Sequence, residues 1–174
     1  MNIHPIFVHF PIALLTIYGF LELLRFRKLL ETPWFEYVKG AFVIIGALTS
    51  SLALQTGELA EHAYKGSDAR TLIKIHASWA GFASTIFGIL AVVYAIRLIS
   101  KSSFQEKIVN SFFGHLWNFV LSVANPLYDS AWFMMTAAFI GIIAVTVTGG
   151  LGGAIVYGPD VDPVVSVIYS LLVQ

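Results

Sequence analysis

The chain has 174 residues, 57% of them hydrophobic and only 11% charged, where a soluble domain carries about 25% charged residues. Ten basic and ten acidic residues cancel, so no strongly basic face is present to take nucleic acid. Cysteine is absent, which excludes disulfides, iron–sulfur clusters, thiolate-ligated haem and covalently attached c-type haem.

A helix that crosses the hydrocarbon core of a bilayer needs about 20 mostly apolar residues. Four stretches satisfy this. The first runs from Pro5 to about Leu24 and is broken only by His9 and Glu22. No basic segment or A-x-A cleavage site accompanies it, so it is expected to stay as a helix and not be removed as a signal peptide. The second runs from about Trp34 to Thr56 and is free of charge from Gly40 onward. The third covers Ile75 to Ile96, and the fourth covers Ala131 to about Gly150. Lipid offers no partner to a bare peptide group, so each stretch is expected to be helical.

Phe104 to Tyr128 mixes Phe112, Phe113, Trp117 and Phe119 with Glu106, Lys107, Asn110 and His115. That mixture predicts an amphipathic helix on the membrane surface. After the fourth span, Gly149-Gly150-Leu151-Gly152-Gly153 is expected to interrupt the helix or to allow close packing. The apolar tail from Val161 is too short to span and is expected to pack on the bundle or the interface. The fold class is therefore all-α. It is a polytopic membrane four-helix bundle with one additional interfacial amphipathic helix, in a single transmembrane domain over residues 1–174.

Basic residues in short loops set the orientation. The first and third connections share one side and hold Arg25, Arg27, Lys28, Lys39, Arg97, Lys101 and Lys107. The second connection holds Lys65, Arg70 and Lys74. Seven basic residues against three put the first side in the cytoplasm. Both termini then face outward.

Five histidines are present. His115 falls in the amphipathic stretch and reads as an interfacial side chain. The other four, His4, His9, His62 and His76, all fall near the outward face. At about 1.5 Å rise per residue, His9 and His76 lie at similar depth, and His4 and His62 form a shallower pair. An imidazole in hydrocarbon is costly without a partner. Two neutral imidazoles facing each other across a bundle suit the two axial positions of a haem iron. Small residues that would admit a flat macrocycle line the neighbouring faces. They are Ala13 and Thr16, Ala80 and Ala83, the stripe Gly46, Ser50, Ala53 and Gly57, and the stripe Ala77, Gly81, Ser84 and Gly88. Such stripes also serve ordinary helix packing. A competing set is His4, Glu58 and His62, which suits zinc, copper or another divalent metal. No HExxH motif, Walker loop, nucleophile elbow or dinucleotide fingerprint stands out.

The opening His4-Pro5-Ile6-Phe7-Val8-His9-Phe10-Pro11 resembles the His-Pro-x-x-Val-His-Phe-Pro start of a bacterial family of uncharacterised four-span "predicted membrane proteins". Thr56-Gly57-Glu58-Leu59-Ala60 resembles that family's Thr-Gly-x-x-Ala, and Ile75-His76 resembles the histidine opening its third span. Gly150-Leu151-Gly152-Gly153-Ala154-Ile155-Val156-Tyr157 resembles its closing Gly-x-Leu-Gly-Gly-x-Leu-Val-Tyr segment. The likeness covers nearly the whole chain. Its histidine layout is similar to that of small di-haem b-type membrane cytochromes. The resemblance therefore implies a bacterial inner membrane and one or two haem b groups. Some relatives carry a further histidine before Leu-Gly-Gly. Gly149 or Gly150 stands there in this chain, so no ligand is available at that place.

The expected function is membrane electron transfer through b-type haem near the outer face, with His9 and His76 as one axial pair and His4 and His62 as a second. The expected partners are the lipid bilayer, other subunits of a membrane redox complex and a periplasmic electron carrier. Divalent-metal binding or transport, and a cofactor-free structural subunit, are the alternatives.

Overall fold

The computed structural model describes residues 4–24, 26–61 and 69–173. Among them the ordered elements are all helices: α1 (His4–Leu23), α2 (Arg27–Leu30), α3 (Pro33–Glu61), α4 (Arg70–Ser100), α5 (Phe104–Val109), α6 (Gly114–Asp129), α7 (Ala131–Tyr157) and α8 (Pro163–Leu172). The helices α1, α3, α4 and α7 are long and apolar enough to cross a membrane, with 20, 29, 31 and 27 residues. The chain is thus a multi-pass helical membrane protein. Even the shortest, α1, is about 30 Å long, which matches the hydrocarbon core.

The four spans form a ring. α1 packs on α3 and α7, and α4 packs on the same two helices, so α1 and α4 face each other across the diagonal. The centre is filled by Leu15, Tyr18, Val43, Phe87, Leu90, Tyr94, Met134 and Ala138. Tyr18 meets Phe87 and Tyr94 edge-on, with ring centroids 6.1 and 5.7 Å apart. Gly141 lets α4 approach α7, since a Cβ there would lie 2.6 Å from Phe87 Cζ. The outer faces remain apolar, with Leu48, Leu52, Phe82, Ile89, Val92 and Phe139 exposed. A water-soluble monomer does not leave so much contiguous apolar surface bare.

The stretch after α4, expected as one amphipathic helix, is two helices. α5 ends at Val109, and α6 begins at Gly114, where a Cβ would sit 2.2 Å from the Val109 carbonyl oxygen. Only glycine permits that reversal. α6 packs on α4 and α7 and exposes Leu116, Phe119 and Val123. α7 begins where Ser130 accepts a hydrogen bond from the Phe133 amide, a common N-cap.

The glycine run 149–153 does not interrupt α7, which continues to Tyr157 and stops at Gly158, with φ +93°. The packing alternative describes what it does. A Cβ on Gly150 would meet Ile168 Cδ1 at 2.5 Å, and one on Gly153 would meet Val165 at 3.4 Å. The run is therefore the seat of α8. Breaking the helix at this depth would leave peptide groups unpaired. α8 starts at Asp162, whose carboxylate accepts from the Val164 and Val165 amides, with Pro163 in the first helical turn.

Candidate cofactor site

The alternating spans gather the start of α1, the end of α3, the start of α4 and the end of α7 at one end of the bundle. His4 and His76 lie there, on the two diagonal helices. His4 Nδ1 is 3.1 Å from Thr56 Oγ1 on α3. The Thr56 hydroxyl already donates its proton to the Ala53 carbonyl at 2.9 Å, so it accepts from His4 Nδ1–H. His76 Nδ1 is 3.0 Å from the Thr148 carbonyl on α7, and a carbonyl can only accept. His76 therefore carries a proton on Nδ1, and the same tautomer suits the contact of His4 with Thr56.

Glycine makes room for both rings. A Cβ on Gly57 would lie 3.2 Å from His4 Cε1, and one on Gly152 would lie 3.3 Å from His76 Cε1. Each imidazole thus rests on the backbone of a neighbouring helix. The two rings are near enough that a charge on one would be felt by the other. Thr56 and Gly57 belong to the Thr-Gly segment noted in the sequence, and Gly152 belongs to the closing glycine segment. Segments far apart in the chain meet around the two rings.

The remaining candidates are placed differently. His9 lies on an exposed face of α1. It is five residues beyond His4, which rotates it about 140° around the helix. Glu58 and His115 are exposed. His62 lies outside the described residues, so the pair His4–His62 and the set His4, Glu58 and His62 do too. Among the described residues no group of three or more His, Cys, Asp or Glu side chains comes together to hold a metal.

The small-residue stripes divide by role. Gly46 accepts Leu15 of α1, and Ser50 bonds Ser84 of α4 at 3.0 Å, so the α3 stripe is a packing seam. A Cβ on Gly81, Gly88 or Gly149 would meet nothing within 4 Å, so none of these three is a contact point.

A second polar cluster, at the opposite end, was not singled out by the sequence. Glu22 and Lys39 are buried, 2% and 6% exposed by side chain, and form an ion pair at 2.9 Å. Tyr94 donates to the same Glu22 oxygen at 2.5 Å. Lys39 Nζ stands 5.2 Å from the Phe35 ring centroid and 5.7 Å from that of Tyr94. Next to them Glu36 is shared by Arg97, at 3.3 Å, and by Lys101. Tyr128 lies close enough to Glu36 for the carboxylate to act on its phenol, and its ring lies under the Arg97 guanidinium at 4.8 Å. Burial and the adjacent Glu36 carboxylate push the Tyr128 phenol well above the ordinary tyrosine value. The available signal was Glu22, an acid within an apolar run.

Comparison with protein-family models, with curated proteins and with solved structures gives no match.

Proposed function

We propose that the chain is a membrane electron-transfer protein that binds b-type haem between α1 and α4, with His4 and His76 as the axial pair. The observation that carries this is the matched state of the two rings. Both are buried at least in part, both are seated on glycine, and both have Nδ1–H committed to an acceptor on a neighbouring helix. Haem-ligating histidines need such an orienting bond, which fixes the tautomer and raises the basicity of Nε2.

His4 replaces His9 in the pairing because of azimuth. Depth along the helix sets His9 opposite His76, but His4 is the ring that comes within electrostatic range of His76. When bound, the haem supplies one-electron redox chemistry. The protein's own residues do the rest: Thr56 and Thr148 orient the rings, Gly57 and Gly152 admit them, and the surrounding apolar helices exclude water. Held by both rings, a haem would serve electron transfer in preference to oxygen chemistry. The loop charges put this end outside the cytoplasm, where a periplasmic carrier or another redox subunit would exchange electrons with it.

The test is the reduced-minus-oxidised visible spectrum of the protein purified in detergent from haem-supplemented cells. A b-type Soret and α-band is expected. His4→Ala and His76→Ala should each lose it, while His9→Ala should keep it. A colourless wild type carrying stoichiometric zinc or copper would overturn the proposal.

A further inference from the structure

The basic end of the bundle contains a cleft of about 430 Å³. Lys39, Arg97 and Lys101 line it together with Glu36 and Tyr128, and Phe35 adds an apolar wall. Three features of this cleft point to an anion.

The charges do not balance. Lys39, Arg97, Lys101 and Arg27 contribute four positive charges, and Glu22, Glu31 and Glu36 contribute three negative ones. Arg27 pairs with Glu31 and Lys39 with Glu22. Arg97 and Lys101 then share Glu36, which leaves one positive charge uncompensated among the described residues of this set. Asp129, next to Tyr128 in the chain, is exposed and does not line the cleft.

Lys39 is more than nine-tenths buried, yet it lines the cleft. A lysine ammonium has three N–H donors. Among the described residues its one oxygen acceptor is Glu22, and its other close neighbours are the faces of Phe35 and Tyr94. A buried ammonium with donor capacity to spare is costly unless an acceptor completes it.

The residues beside the cleft also suit the level of lipid headgroups. Phe26, Trp34 and Tyr37 are exposed around it, and amphipathic aromatics concentrate at the membrane–water interface. Leu30, Pro33 and Phe35 add apolar lining beside the cations. A phosphate would face Lys39, Arg97 and Lys101, and acyl chains would follow the apolar side of the cleft. Basic pockets between spanning helices take anionic headgroups by this arrangement.

From these features we infer that the cleft between the start of α3 and the end of α4 is a binding site for the headgroup of an anionic phospholipid. Tyr94 is 18 residues beyond His76 on α4, about 27 Å away, so this site is independent of the histidine pair. It stands whether or not haem binds.

The experiment is a thermal melt of the detergent-purified chain with added phosphatidylglycerol, phosphatidylcholine or inorganic phosphate. The variants are Lys101→Gln and the double Arg97→Gln, Lys101→Gln. Phosphatidylglycerol should raise the wild-type Tm by about 5 °C or more, and phosphatidylcholine or phosphate by about 1 °C or less. The double variant should lose the phosphatidylglycerol shift. If it proves too unstable to melt, Lys101→Gln in native mass spectrometry should retain fewer phosphatidylglycerol molecules than the wild type. An equal shift in the double variant, or equal lipid retention by Lys101→Gln, overturns the inference. So does a shift of the same size with phosphatidylcholine or with phosphate alone.

Discussion

The two ends of the bundle use polar side chains in opposite ways. At the histidine end, His4 and His76 are neutral rings on glycine backbones, and each is fixed by a hydrogen bond at Nδ1. At the basic end, Glu22, Lys39 and Tyr94 are almost wholly buried and bonded to one another. In the first arrangement Nε2 is the atom that would take a ligand under the proposed function. The second pairs opposite charges inside the bundle, beside the cleft. Stability should therefore reside in the basic end and cofactor chemistry in the histidine end, and mutations should separate the two.

The largest effect is expected at the ion pair. Removing one partner strands a buried charge, which costs about 3–5 kcal/mol. Lys39→Met should lower Tm sharply in a detergent melt. The double variant Glu22→Leu, Lys39→Leu should recover much of that loss, because it strands no charge and leaves only the Tyr94 hydroxyl without its acceptor. If the double variant is no better than the single one, a stranded charge is not the source of the loss. His76→Ala offers the contrast: measured on the haem-free protein, it should cost only about 1 kcal/mol.

Two glycines sharpen the comparison at smaller scale. Gly141→Ala drives a methyl into the Phe87 ring in the packed centre and should cost about 1–3 kcal/mol. Gly152→Ala meets only the edge of His76, at 3.3 Å. It should leave haem-free stability nearly unchanged and shift the haem spectrum or its midpoint potential. Equal stability losses in the two variants would erase the distinction between core and cofactor seat.

The smallest effect concerns pH. The Tyr128 phenol is pushed above its ordinary value by burial and by Glu36, so the folded state holds that proton more tightly than the unfolded state. Its contribution is complete below the ordinary tyrosine value of about 10 and is lost as pH rises through the higher folded value. Tyr128→Phe should flatten the alkaline fall in stability. An unchanged alkaline limb would remove Tyr128 from the network.

The fold was legible because a bilayer leaves the backbone few choices. Four apolar runs became the four spans. Their ends moved outward, to Glu61 in α3 and Tyr157 in α7, because polar and glycine-rich turns stay helical while packed on neighbours. The glycine run in α7 looked like a break, since its packing partner, α8, is not evident locally. The candidate site was legible in part. Histidines are conspicuous in apolar sequence, and His4 and His76 stood out for that reason. Counting residues gives depth but not azimuth, and azimuth separates His4 from His9. The Glu22–Lys39–Tyr94 cluster was hidden because its members are 17 and 72 residues apart. Each one alone resembles an ordinary residue near a helix end.

The central claim is that His4 and His76 supply Nε2 to one iron, and imidazole rescue tests it most directly. His76→Gly should lose the low-spin b-type spectrum of the wild type, and added imidazole should restore it by filling the vacated space over Gly152. A His76→Gly protein whose spectrum matches the wild type without imidazole would contradict the account.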